Sequence, residues 1–133
     1  MLPDLLFSVL CDEVRREHNG KFILIGLFEV IGTHTLPAVH PKLTVVNRWA
    51  GGTGEYKQQI RIISGENDAV IARDKEVGFT LKDTRRSHTV VSVFQGLRFE
   101  RSGTYWVETL LMGELKLRYP FEVVVVAQKQ SKK

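Results

Sequence analysis

Asp12, Glu13, Arg15 and Glu17 are the residues of this chain whose types and spacing come nearest to chemistry. In an extended strand Glu13, Arg15 and Glu17, at i, i+2 and i+4, share one face. A guanidinium held between two carboxylates can grip a polar ligand, or keep one carboxylate poised as an acid or base beside a fixed cation. The same spacing gives a plain ion-pair ladder, worth ~0–1 kcal/mol per exposed pair, and we prefer that reading. Asp12 falls on the other face, among apolar neighbours. A carboxylate there needs hydrogen bonds or a cation, or its pKa rises.

Other chemical signals are weaker. Gly51-Gly52-Thr53-Gly54 could cradle a phosphate, but no helix follows to aim its amides at an anion, so it reads as a hairpin loop. His18, His34, His40 and His88 lack metal-site spacing; His34 and His40, flanking Pro37, are the best pair, and no cofactor or metal is expected. Cys11 lies in an apolar run without an evident base. It reads as a small buried apolar residue and a poor thiolate. Trp49 and Trp106 read as core residues rather than ligand platforms. Arg85-Arg86 beside His88 is a solvated loop.

The elements that must position these residues are strands. Asn19-Gly20 separates two apolar-rich runs, Leu5–Val14 and Phe22–Ile31. Asn-Gly between such runs signals a hairpin, because a two-residue type I′ turn needs φ > 0 at both central positions. With that two-residue loop His18 faces Lys21, Arg16 faces Ile23, Val14 faces Ile25 and Asp12 faces Leu27. Period-2 patterning continues through Leu43–Trp49, Tyr56–Ile63, Ala69–Arg73, Val77–Leu81, His88–Phe94, Thr104–Met112 and Leu115–Ala127, with no capped helical period. We expect an all-β, antiparallel, immunoglobulin-like β-sandwich of about eight strands. Pro120 marks an edge, a bulge or a change of sheet. Tyr105, in Gly103-Thr104-Tyr105, has the placement of a tyrosine corner, in which the hydroxyl bonds back to upstream backbone.

Composition bounds the rest. A chain of 133 residues, 43% hydrophobic and 26% charged, fits one domain with its own core. We expect that domain over residues 1–127 and a basic tail over 128–133. The formal charge is +4, but Lys129, Lys132 and Lys133 lie in that tail, leaving sixteen basic residues against fifteen acidic ones in the body. A nucleic-acid reader would carry a basic stripe on a folded face, so nucleic acid is not the expected partner. No apolar run approaches the ~20 residues of a membrane helix. The Ser8-Val9-Leu10-Cys11 stretch suggests a lipoprotein signal, but the bulky Leu10 and the lack of a basic start argue against it. We expect a cytoplasmic protein without a membrane partner.

Cys11-Asp12-Glu13-Val14-Arg15, Glu17, Asn19-Gly20-Lys21 and Leu24-Ile25-Gly26 together resemble the opening of a family of small bacterial β-sandwich proteins of unknown function. Gly54-Glu55, Gly103-Thr104-Tyr105 and Pro120-Phe121-Glu122-Val123 extend the resemblance over nearly the whole chain. The resemblance implies the fold and brings no activity with it.

The second run is apolar on both faces: Phe22, Leu24, Phe28 and Val30 on one, Ile23, Ile25, Leu27 and Ile31 on the other. Burial is worth ~1.5–3 kcal/mol per such side chain, so each face calls for a cover: a loop of the chain, a second copy, or another protein. We therefore expect a non-catalytic binding or assembly module, homodimeric or with a protein partner, working through Asp12, Arg15, Glu17, Ile23, Ile25 and Leu27. The alternative is a small-molecule-binding protein or enzyme built on Asp12, Arg15 and Glu17.

Overall fold

Asn19-Gly20 does close a hairpin, but through one more residue than a type I′ turn uses. In the computed structural model, which describes residues 2–127, the Gly20 amide donates to the Glu17 carbonyl at 2.9 Å and the Glu17 amide to the Lys21 carbonyl at 2.9 Å. Gly20 has φ +86°. His18-Asn19-Gly20 is thus a three-residue loop, a turn followed by a left-handed glycine. The Asn19 side-chain oxygen accepts from the Lys21 amide at 3.0 Å, which holds the turn.

That extra residue slips the register. Strand β1 (Asp4–Arg16) pairs with β2 (Phe22–Leu27) as Arg16 with Phe22, Arg15 with Ile23, Val14 with Leu24 and Glu13 with Ile25. The expected pairing is therefore displaced by one, and every side chain of the hairpin changes partners and face relative to that expectation. Glu13 and Arg15 share a face with Ile25 and Ile23, not with Leu24 and Phe22.

The apolar run 22–31 is also not one strand. It leaves β2 at Leu27, crosses through Phe28 and Glu29, and enters β3 (Val30–Thr33) in the other sheet. This accounts for much of its two-sided character, since Phe28 packs on the core and Ile31 is buried within it. The remaining strands are β4 (Ala38–Ala50), β5 (Gly54–Ser64), β6 (Val70–Arg73), β7 (Val77–Leu81), β8 (Ser87–Phe99), β9 (Gly103–Leu111) and β10 (Glu114–Val125).

Among the described residues, ten strands make an all-β, immunoglobulin-like sandwich. One sheet has the order β2-β1-β4-β8; the other runs β3-β10-β9-β5-β6, with β7 also on β5. Pairing is antiparallel except between β3 and β10, which run parallel because the crossover at Phe28 brings β3 in from the opposite sheet. Pro120 sits on the stretch of β10 paired with β9 but not yet with β3, whose ladder starts at Glu122, so its missing N–H faces a free edge.

Leu43, Val45, Ile60, Ile62, Phe99, Val107 and Phe121 fill the main core, each at most 1% exposed. A second cluster gathers Trp49, Tyr56, Phe79 and Leu111. A polar cross-link joins the sheets: Asn47 Nδ2 donates to Gln58 Oε1 and Thr109 Oγ1, both at 3.1 Å, and Trp49 Nε1 donates to Gln58 Oε1 at 2.7 Å. All four residues are fully buried. The Tyr105 hydroxyl donates to the Arg101 carbonyl at 2.6 Å, the corner read from Gly103-Thr104-Tyr105. Trp49 is core as expected. Trp106, between inward-facing Tyr105 and Val107, instead lies half-buried on the outer face, under the Arg118 guanidinium at 4.2 Å. The basic tail expected over 128–133 lies outside the described residues.

Candidate functional site

The hairpin begins where β1 parts from β4. The two strands pair from Asp4 with Ala50 to Cys11 with Thr44. On β4, Leu43 and Val45 point into the core, so Thr44 and Val46 point outward, and Cys11 with them. Yet Cys11 and Thr44 are fully buried and Val46 is 1% exposed, so something covers this outer face. Its cover is the hairpin itself. Phe7 pairs with Arg48, and a straight β1 would carry Arg16 ~30 Å beyond that row at ~3.3 Å per residue. Instead Arg16, Asn19 and Lys21 line one cavity of about 620 Å³ together with Arg48, His88 and Thr89. The hairpin must therefore fold back across its own sheet.

The fold-back starts around Asp12. The Cys11 thiol donates to the Glu13 carbonyl at 3.6 Å, and the Asp12 carbonyl accepts from Thr44 Oγ1 at 3.4 Å. Gly26, opposite this point, has φ +73°, and a Cβ on it would run into Asp12 Oδ2. Glycine is needed there on both counts. Burial pushes the Cys11 thiol up, only partly offset by the Glu13 carbonyl bond, which fits the inert core cysteine expected.

The residues singled out from sequence are spread over this hairpin. Arg15 pairs with Glu13 at 3.2 Å, and Lys42 reaches the same carboxylate at 3.8 Å. Glu17 opens the turn through its backbone. Asp12 lies over Gly26, on the face opposite Arg15. Of the three, only Arg15 belongs to a surface ion-pair ladder, which centres on Glu13 and includes Lys42; Asp12 and Glu17 stand apart from it. Ile23, Ile25 and Leu27 line one face of β2, an edge strand, and are 41%, 40% and 63% exposed. Among the described residues, no three His, Cys, Asp or Glu side chains gather closely enough to share a metal ion. His34 Nδ1 sits 3.2 Å from the Val126 carbonyl, and the His40 ring packs 6.2 Å from that of Phe28. Arg85 and Arg86 both lean on Asp83, at 3.7 and 4.0 Å.

Two features carry no local sequence signal. One is the meeting of the hairpin tip with Arg48 and His88, brought together by the fold-back. The other is a groove of about 560 Å³ on the open side of the sandwich, where Ser8, Leu27, Phe28 and Tyr119 meet. There Ser8 Oγ and the Tyr119 hydroxyl lie 2.9 Å apart, and burial pushes the Tyr119 pKa up to about 12. Residues more than a hundred positions apart cannot be paired by periodicity. No helix of the described residues is long and apolar enough to cross a membrane.

The chain is similar to part of the alkylpurine DNA glycosylase AlkC of Pseudomonas fluorescens, solved bound to DNA containing an abasic-site analogue. The TM-score is 0.52 at 12% identity, over 87% of this chain and 30% of that one. The chain thus spans less than a third of that protein. It is also similar to the CARDB domain of a Pyrococcus furiosus protein, solved with di-metal ions, at TM-score 0.42 and 14% identity over 94% of this chain and 90% of that domain. No curated protein matches it in sequence. A family model matches residues 6–124, from the first strand through almost all of β10, and the chain therefore belongs to the family of unknown function DUF6941.

Proposed function

We propose that this protein is a non-catalytic binding or assembly module whose working surface is the exposed row Ile23, Ile25 and Leu27, and that a second copy of the chain covers it. The observation that carries this reading is the exposure of that row: three large aliphatic side chains on one face of an edge strand, with Leu27 63% in water. An apolar edge strand without an internal lysine or proline is unprotected against pairing. Two copies related by a two-fold axis could pack row against row, face to face across the edge strands, and bury both rows at once. Glu13 and Arg15, on the same face, give that contact charges of both signs. The single buried Cys11 supports a reducing, cytoplasmic setting.

Analytical ultracentrifugation tests the reading. The expected result is a dimer at micromolar concentration that Leu27→Asp converts to a folded monomer. A protein that stays monomeric at high concentration, with or without the substitution, overturns it.

A further inference from the structure

We infer that the cavity between the hairpin tip and the Arg48–His88 corner is an anion site, built for a small molecule that carries two or more linked phosphate groups. Its lining supplies the argument. Arg16, Lys21 and Arg48 converge on it, and no carboxylate lines it. None of the three forms an ion pair among the described residues, whereas Arg15, Arg61, Arg98 and Arg101 each rest on a glutamate at 3.2 Å or less. Glu17, the acid nearest to Arg16 in sequence, is not part of the lining.

The two guanidinium groups are held without acids. Arg48 donates through Nε to Thr89 Oγ1 at 2.9 Å and lies 5.5 Å from the centre of the Phe7 ring. Arg16 lies 4.3 Å over the Phe22 ring. Both guanidinium groups lie against a ring and keep their outer N–H groups unspent, a fork open to phosphate oxygens. Asn19 offers a further donor, since its oxygen is occupied by the Lys21 amide and its NH₂ is not. Ser87 and Thr89 add hydroxyl groups. A lining of cations and donors without a carboxylate selects negative charge. Three cations around this open surface depression outnumber what one phosphate needs. Hence the ligand class is an oligophosphate, free or as the phosphate end of a larger molecule.

Isothermal titration of the full chain at low salt, with sodium tripolyphosphate, ATP and sulfate as probes, tests this. Tripolyphosphate is expected to bind one to one, and sulfate at least tenfold more weakly. Binding of ATP at the tripolyphosphate affinity assigns recognition to the phosphates alone, and tighter ATP binding assigns part of it to the attached group; either supports the site. Arg16→Gln combined with Lys21→Gln changes two exposed residues at the hairpin tip and leaves the core untouched. It is expected to weaken binding on the order of tenfold or more. Arg98→Gln combined with Arg101→Gln, two cations outside the lining, is expected to leave it unchanged. Equal losses in both double variants, or none in the first, overturn the site. So does a single-stranded oligonucleotide that binds more tightly than tripolyphosphate through the same residues. Chain association plays no part in this readout, so the dimer can fail while the anion site stands.

Discussion

The sandwich interior and the N-terminal hairpin are built from the same kinds of residue and solve opposite problems. Inside, Phe99, Tyr105 and Phe121 pack ring against ring, with Phe99 and Phe121 each 1% exposed, and the one hydroxyl among them has its acceptor. On the hairpin, Ile23, Ile25 and Leu27 remain partly exposed, Leu27 most of all, and Arg16 lies over a ring face rather than against an acid. The interior buries its aromatic and aliphatic side chains within one chain. The hairpin keeps apolar surface in water and donors turned to solvent, both open to a partner.

This contrast can be broken or sharpened by substitution. The largest effect is expected at Phe99→Ala, which opens a cavity between the sheets and should cost about 3–5 kcal/mol in urea unfolding. A loss below about 1 kcal/mol would mean the interior is no better packed than the hairpin. Tyr105→Phe keeps the ring and deletes only the bond to the Arg101 carbonyl. It should cost about 0.5–1.5 kcal/mol, and no change would remove the corner as a stabilising device. Leu27→Asp should shift the stability of the isolated monomer by only about 0.5 kcal/mol. A loss as large as that of Phe99→Ala would show Leu27 to be core.

The smallest effect is expected at Asp74. This residue fills the gap between β6 and β7 on the edge of β5: its Oδ1 accepts from the Ile60 amide at 2.8 Å, and its own amide donates to the Ile60 carbonyl at 3.1 Å. Burial pushes its carboxyl pKa up, against the opposing pull of the Ile60 amide and Ser92. A carboxyl raised on folding ionises at a cost, absent well below the unfolded pKa of about 4 and fully present above the folded value. Asp74→Asn keeps an oxygen for the Ile60 amide. It should match the parent in strong acid and gain on it as pH rises through that window, as measured by thermal unfolding at several pH values. A variant that loses ground with rising pH would mean that the ionised carboxylate is stabilising.

How far the fold could be read from sequence follows the range of the interaction. Tyr105 was legible because its acceptor, Arg101, lies four residues away and Gly103 marks the turn between them. Asn19-Gly20 was legible as a hairpin but not as a register, because loops of two and three residues use the same dipeptide and differ by one position. That single residue moved Glu13 and Arg15 onto the face of Ile25 and Ile23. The run 22–31 looked like one strand because period 2 continues through Phe28; nothing in the pattern says that the chain changes sheets there. The anion cavity was invisible, since Arg16 and Arg48 meet only after β1 bends at Asp12.

The sequence by itself determined the all-β class, the inert Cys11, the corner at Tyr105 and the presence of an apolar row beginning at Ile23, because alternation and turn chemistry act within a few residues. Tertiary structure alone decided which side chains share a face, where the chain passes between sheets, and that the hairpin folds back so that Arg16, Lys21 and Arg48 surround one space. Those outcomes depend on strand order and on a bend at a single glycine-opposed position. They are settled by packing between segments far apart in the chain, which local periodicity does not encode.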